Sequence, residues 1–256
     1  MDALDVWIRP DEACVALTAS YRLIQRKTGH RYSVDDLLVA HLACTSGPAP
    51  SRVLDLGCGV GSVLLMVAWA NPAASLVGVE AQEESIALAA RNVVLDACSH
   101  RVELRRGDLR EPSTLADLAP FDLVTGTPPY FDPLAATPCS DPQRAHAKFE
   151  LRGGIEAYAE AASRALTEDG RFVVCAPSLP EGRWSDALAS AGLHCVARRS
   201  VLPGPARAPF LELLVCARSA TDTVVHPALV LRESDGRRTR EHASIREWFG
   251  VRASER

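Results

Sequence analysis

The chain has 256 residues, of which 47% are hydrophobic and 23% charged, and its formal net charge is −4. These proportions exclude a disordered or low-complexity chain, and no apolar run reaches the length of a membrane span, because Asn71 and Pro72 end the best one, "VLLMVAWA". A net negative charge gives no overall basic footprint for nucleic acid, although a local patch stays open.

In chain order, the start "MDALDVWIRPDEA" is acidic and lacks the basic-then-apolar pattern of a signal peptide, which predicts a cytoplasmic protein. Residues 1–45 read as a mostly helical leader whose clearest element is "SVDDLLVAHLAC" (33–44), with Ser33 as its N-cap. From Arg52 to Arg218, short apolar runs alternate with helix-like segments, the signature of βαβ units and a parallel sheet. The predicted strands are 52–56, 75–80, 101–108, 121–126, 171–176, 194–201 and 209–217, and the predicted helices 61–70, 82–96, 153–167 and 182–191. Only "LPGPARA" separates the last two strands, which is too short for a crossover helix and predicts an antiparallel pair. Five parallel strands closed by a hairpin, with helices on both faces, resemble the Rossmann-like α/β sheet of class I methyltransferases. That domain is assigned to 46–220, and a polar tail packing on it to 221–256. The eight cysteines are scattered, with no CxxC and no histidine at zinc spacing, so reduced core thiols and no metal are expected.

The stretch "VLDLGCGVGSVLL" places Asp55, Gly57, Gly59 and Gly61 at the first strand–helix turn. Glycines there let a ligand approach the backbone at a helix N-terminus. Asp55 would repel a pyrophosphate but suits an ammonium, and Ser62 stands where a third dinucleotide glycine would be, so the turn favours S-adenosylmethionine over NAD. Glu80 ends the second strand, where a carboxylate can accept from both ribose hydroxyls. Asp108 ends the third, placed for an adenine amino group, with Leu109 beside the ring. Each acid alone reads equally well as a solvated strand terminus; three at successive strand ends form a pattern.

The fourth strand runs into "GTPPYF", where two prolines stiffen a loop that carries two aromatic rings. Thr127-Pro128-Pro129-Tyr130 resembles the (N/D/S)-P-P-(Y/F/W) motif of amino-group methyltransferases, with threonine where asparagine is commonest. The chemistry behind that motif is a poorly nucleophilic planar nitrogen whose N–H groups meet two fixed oxygens, the first side chain and the first proline carbonyl, while a ring stacks on the substrate. A hydroxyl in that place can accept only if its own proton points elsewhere. Over most of its length the chain is also similar to the bacterial tRNA1(Val) adenine-37 N6-methyltransferase group. The similar segments are the leader "IQRKTGHRYSVDDLLVAHLA", the segment "RAHAKFELRGGIEAYAEAASRAL" and the end "HPALVLRESDGRRTREHASI"; His30 and Arg238 stand where tyrosines are usual.

The resemblance implies methyl transfer from S-adenosylmethionine to N6 of adenine in a tRNA, with the base turned onto Tyr130 and Phe131 and with Arg31 on the substrate. Arg22, Arg26, Lys27, Arg31, Arg144, His146, Lys148 and Arg152 can meet phosphates or form a solvated face, and Arg237, Arg238 and Arg240 have the same two readings. Other targets stay open: a protein glutamine amide, cytosine N4, or an inactive cofactor-binding scaffold. Oligomeric state is not legible.

Overall fold

The structure, a computed structural model, describes residues 8–118, 120–134, 137 and 139–251; the first residues of the leader and the last of the tail lie outside it. The leader opens with a hairpin, β1 (Glu12–Ala16) and β2 (Arg22–Arg26), followed by helix α1 (Val34–Thr45). The expectation of a mostly helical leader is therefore corrected over Glu12–Arg26. "LTASY" is the turn: the Tyr21 carbonyl accepts from Leu17 and Thr18 N–H, and Thr18 Oγ1 accepts from Tyr21 N–H at 3.0 Å. Leu23 and Ile24 are then buried together against α3 (Glu83–Leu95). Tertiary burial, which local propensity does not encode, selects strand here.

The remaining strands are β3 (Arg52–Leu56), β4 (Ser75–Glu80), β5 (Val102–Arg106), β6 (Phe121–Gly126), β7 (Leu166–Pro177), β8 (His194–Leu202), β9 (Leu211–Ala217), β10 (Val224–Val225) and β11 (Leu229–Val230). They join in one sheet of order β10-β8-β9-β7-β6-β3-β4-β5, with β11 also on β8. The expected hairpin is present, and β9 slots antiparallel between β7 and β8. The seven expected strands become nine because two short tail segments, β10 and β11, add to β8.

Helices α2 (Ser62–Ala70), α5 (Ile155–Ala165), α6 (Arg183–Ser190) and α7 (Arg240–Trp248) complete the layers, with the short α4 (Pro142–Lys148) on the rim. Adjacent strand residues face opposite sides, as the two-residue repeat requires. Val53, Leu123 and Val173 pack in one core with α1, α2, α3 and α7. Leu54, Val124 and Phe172 pack in the other with α5 and α6. Helix α2 is apolar all round because it is covered on both sides, by the sheet and by α1. No helix among the described residues is long and apolar enough to cross a membrane.

Buried Asn92 on α3 joins the leader to the sheet. Its Oδ1 accepts from Ile24 N–H at 2.7 Å, while its Nδ2 donates to the carbonyls of Ile24 (3.0 Å) and Val60 (2.9 Å). One amide thus fixes the hairpin against the glycine turn. Arg91 pairs with buried Glu12 one helical step away.

Candidate active site at the carboxyl edge

Open parallel sheets bind ligands outside their strand carboxyl ends, where the order reverses. In this sheet that place lies between β3 and β6 on one side and β3 and β4 on the other. Two clefts meet there. The inner one, of about 810 Å³ including its open mouth, is lined by Gly57, Gly59, Glu80, Asp108, Leu109, Thr127 and Pro129 among others. The outer one, of about 1480 Å³, is lined by Arg31, Thr127, Pro128, Tyr130, Phe131, Arg144 and Lys148 among others. Of the expected site residues, two stand behind the walls. Asp55 is buried beneath the turn, and Gly61, at φ +90°, caps α2 with Leu65 and Ala89 in ordinary contact distance of its missing Cβ.

The glycines divide by physical role. A Cβ on Gly57 (φ +62°) would lie 2.1 Å from the Tyr158 hydroxyl, and one on Gly126 would lie 2.7 Å from the same ring. Tyr158, from the first turn of α5, is thus slotted between the ends of β3 and β6 and forms part of the inner wall. Sequence reading missed it; the clue was a tyrosine in the first turn of a helix otherwise lined with alanines. Gly59 (φ +55°) has nothing within 4 Å of its missing Cβ, so the backbone there faces open cleft.

The three acids are in three different states. Glu80 is clamped by backbone donors: Oε2 accepts from Gly59 N–H at 3.0 Å and Oε1 from Gln82 N–H at 2.7 Å. Burial raises its pKa, and those N–H groups oppose the rise. Asp55 Oδ1 accepts from the Thr125 hydroxyl at 2.7 Å, whereas its Oδ2 is buried without a partner among the described residues. Burial pushes this carboxyl up to about 7. Asp108 is forked by Arg110, with Nε to Oδ1 at 3.0 Å and Nη2 to Oδ2 at 2.7 Å, and that pairing holds its pKa below the ordinary value. An arginine two residues on had given no sign of this in the sequence.

Thr127 is the hinge of the arrangement, since it lines both clefts together with His30 and Asp36. Its hydroxyl donates to Asp36 Oδ1 at 3.3 Å. Asp36 sits in the first turn of α1, only 5% exposed, and its Oδ2 accepts from Ser33 N–H at 2.9 Å. Burial, reinforced by the charge of Asp35, pushes it up to about 7, against the opposing hydroxyl of Ser62. Nothing in the sequence separates Asp36 from Asp35, since both look like ordinary acids after an N-cap. Asp35 accepts from the hydroxyls of Ser33 and, at 3.4 Å, Tyr130. The Tyr130 and Phe131 ring centroids are 5.4 Å apart, and Phe131 is 47% exposed.

The proline loop is held from behind. Phe131 N–H donates to the Lys148 carbonyl and Glu150 N–H to the Phe131 carbonyl, both at 3.0 Å. Gln143 of α4 accepts from His30 N–H at 3.2 Å and donates to Ser85 at 3.2 Å, joining the leader, α4 and α3 around the junction. Burial lowers the pKa of His30, so its ring is neutral at pH 7. His146, on the inner wall, has a buried Nδ1 without a partner among the described residues. The leader's cations separate: Arg26 pairs with Glu84 and Asp141, and Lys27 donates to the Pro10 carbonyl. Among the described residues no ion pair holds Arg31, Arg144, Lys148 or Arg152.

Comparison with known proteins gives the same architecture. Residues 33–180 match the model of the methyltransferase small domain. The tRNA1(Val) (adenine(37)-N6)-methyltransferases of Yersinia pestis (strain Pestoides F) and Yersinia pseudotuberculosis (serotype O:1b, strain IP 31758) are each 30% identical over 188 residues, 72% of this chain and 73% of the relative. A solved structure from Agrobacterium tumefaciens, described as a predicted O-methyltransferase, has a TM-score of 0.63 at 20% identity, covering 87% of this chain and 99% of its own. A ribosomal protein L11 methylase from Lactobacillus delbrueckii has a TM-score of 0.51 at 19% identity, covering 71% and 78%; at such identities these two show the fold. The chain belongs to the methyltransferase small domain family and to the family of its tRNA1(Val) (adenine(37)-N6)-methyltransferase relatives, and it is an S-adenosylmethionine-dependent methyltransferase.

Proposed function

We propose that this methyltransferase acts on an exocyclic amino group, N6 of an adenine in tRNA, and does so in the cytoplasm. The observation that carries the reading is that the Thr127 hydroxyl, set between the two clefts, donates its hydrogen bond to Asp36. Its lone pairs are then free to accept an N–H from a planar amine, the role asparagine has in the commoner form of the motif.

The inner cleft fits S-adenosylmethionine on the chain's own features. Gly59 leaves its backbone open, the Glu80 carboxylate is fixed on the wall, and His146 Nδ1 on the wall and Asp55 Oδ2 just behind it are polar atoms without partners among the described residues. When bound, the cofactor supplies a methyl group on a sulfonium, which a neutral amine can attack. Glu80 would hold the ribose hydroxyls, Leu109 would flank the adenine, and Asp55 would face the ammonium end from beneath the turn. Asp108 would reach the adenine amino group only through the oxygen lone pairs that its Arg110 fork leaves unused.

In the outer cleft, Tyr130 and Phe131 offer ring faces to an unstacked base, and neutral His30 adds a donor and an acceptor without charge. Thr127 Oγ1 and the Pro128 carbonyl would take the two amine hydrogens, localising the nitrogen lone pair toward the methyl carbon. After transfer, the methylated ammonium is acidic enough to lose its extra proton to water. The 30% identity to relatives named for adenine-37 of a tRNA supports this choice of atom.

The test is transfer of tritiated methyl from S-adenosylmethionine to total tRNA, total protein and DNA in parallel, with nucleoside analysis of the product. N6-methyladenosine in tRNA is the expected result. Label confined to protein glutamine or to N4 of cytosine would replace the substrate and keep the class. No label in any pool would leave a cofactor-binding scaffold.

A further inference from the structure

The tail delivers three arginines to the same edge of the sheet as the clefts. β11 runs parallel to β8, with Leu229 opposite Val201 and Val230 opposite Leu202, and Leu231 N–H donates to the Leu202 carbonyl at 2.9 Å. The chain therefore leaves the sheet at the carboxyl end of β8. It then doubles back: Arg232 bridges Arg238, Glu233 N–H donates to the Arg237 carbonyl, and Thr239 N–H returns to Leu231. Thr239 caps α7, and from that helix Arg246 donates to the Tyr32 hydroxyl at 3.3 Å. Tyr32 lies between Arg31 and Ser33, both on the wall of the outer cleft. Across the sheet, β8 is three strands from β6, which carries the proline loop, or about 14 Å at normal strand spacing.

This cluster is cationic, and Glu233, on the surface beside Arg238, is in no ion pair with it among the described residues. Among the described residues no ion pair holds Arg232, Arg238 or Arg246. Two carboxylates of the tail are already engaged, Asp235 by Arg237 and Glu241 by Arg199. Among the described residues the buried Nε of Arg246 has no partner, and Arg232 donates only to the Gly236 carbonyl. Burial first, then the charges of Arg246 and Arg232, lower the pKa of Arg238. Burial also lowers that of His242, and the same three arginines add to the effect. Like charges gathered without ion-paired partners disfavour the fold, and a bound polyanion would relieve them. Guanidinium forks suit phosphate oxygens, and a position beside the outer cleft suits a phosphate that belongs to the same molecule as the base.

We propose that Arg232, Arg238 and Arg246 form a phosphate-binding surface that grips the RNA backbone beside the base entering the outer cleft. The inference rests on an RNA substrate and adds the surface that holds it. Phosphate contacts of this kind position the substrate without reading its sequence, so they set affinity and its salt dependence.

The experiment is filter binding of total tRNA across a salt series, for the full chain, for Arg232→Ala/Arg238→Ala, and for that pair with Arg246→Gln, which keeps a donor for Tyr32. Calorimetry with S-adenosylmethionine checks that each variant is folded. The triple variant should bind tRNA about tenfold more weakly, with the slope of log K against log salt shallower by about 2. The KM for tRNA should rise while kcat stays within about twofold. If the triple variant fails the calorimetric check, the double variant decides, with a slope change of about 1 to 2. Unchanged affinity and slope in a folded variant, while the parent still methylates tRNA, overturn the surface alone. No tRNA binding by the parent chain overturns both the surface and the substrate. Phosphatidylserine vesicles form a further arm: arginine-dependent binding to them, with tRNA binding intact, would assign the cluster to a lipid surface and overturn the proposal.

Discussion

The inner and outer clefts share Thr127 but are built in opposite ways. The floor of the inner one is made by strand ends and the turns that follow them, 57–62, 79–85 and 107–109, tied by backbone bonds such as Cys58 N–H to the Val79 carbonyl, with His30, Asp36, His146 and Tyr158 closing it. The outer one is assembled from distant pieces, 27–36, 127–131 and 144–148, and its chemistry lies in side chains that touch each other. A turn that must admit a ligand constrains residue type at every step, so it is rigid and readable. A cleft of side chains drawn from three segments constrains only their sum. Substitutions in the first should therefore damage the fold, and those in the second should leave it intact and change the chemistry.

The largest effect should follow Gly57→Ala. Forcing an alanine into the left-handed region costs roughly 1–2 kcal/mol, and overpacking against buried Tyr158 about 1–3 more. Thermal unfolding should drop by about 10 °C or more, with S-adenosylmethionine affinity lost. Gly59→Ala has the backbone penalty without the clash, so it should unfold only a few degrees early and yet lose cofactor affinity. Adding Tyr158→Phe to Gly57→Ala should recover part of the loss. Equal melting temperatures for the two single variants would break the contrast on its structural side.

On the outer side, Tyr130→Ala removes a ring that borders the core without filling it. Base–aromatic stacking contributes about 1–3 kcal/mol, so kcat/KM should fall by roughly tenfold to a hundredfold. Melting temperature and cofactor affinity should stay close to those of the parent. Methyl transfer at full rate would mean that the base is gripped elsewhere.

How much of this was legible follows the same division. Strand ends at Leu56, Glu80 and Gly126, the antiparallel pair after Leu202 and the stiff proline loop could all be read, because local patterns fix them. The hairpin at Glu12–Arg26 could not, because burial on α3 makes it a strand pair. Tyr158 carries only the faint signal of a tyrosine among alanines, because its partners, Gly57 and Gly126, are far away in the chain. Asp36 was hidden by Asp35, since only the fold tells which of two neighbouring acids faces the junction. Adjacency in the sequence groups Arg238 with Arg237 and Arg240. In the structure Arg237 is paired with Asp235, while Arg238 joins Arg232 and Arg246.

A smaller effect, but a sharper one, concerns Asp36. Its pKa is raised from 3.8 to about 7, chiefly by burial. The raised value means that this group's contribution to folding stability is fully present with the carboxyl protonated, below about pH 4, and is lost as pH rises through about 7. Activity should run the other way. Ionised Asp36 accepts the Thr127 proton, whereas the protonated acid competes for the Thr127 lone pairs, so kcat should climb through about pH 7. Asp36→Asn keeps an acceptor that does not titrate, so the plateau should survive within a few-fold and the acid limb should vanish. Asp36→Ala removes the acceptor and should reduce kcat by about tenfold, equivalent to one lost hydrogen bond. A limb that persists in Asp36→Asn would belong to Asp55, which is also raised to about 7.

The smallest effect should be that of Thr127→Asn, and it bears most directly on why this chain carries threonine. If Asp36 serves to take the hydroxyl proton, threonine with Asp36 is chemically equivalent to asparagine: one oxygen acceptor toward the substrate, with the donor turned away. An asparagine at 127 can give an amide N–H to Asp36 and keep its carbonyl oxygen for the amine. Its extra atom must fit where Asp36 is already close, at 3.3 Å from the present hydroxyl. Activity is therefore expected within about threefold of the parent, a barrier change of less than about 1 kcal/mol. The acid limb should flatten, because an amide accepts through its carbonyl oxygen whichever state Asp36 is in. Thr127→Val removes the acceptor at nearly constant volume and should lose far more. A gain of tenfold or more on Thr127→Asn would show that the hydroxyl is a poor substitute in this site. Equal activity in the valine variant would remove Thr127 from the cradle and return the two amine hydrogens to the backbone alone.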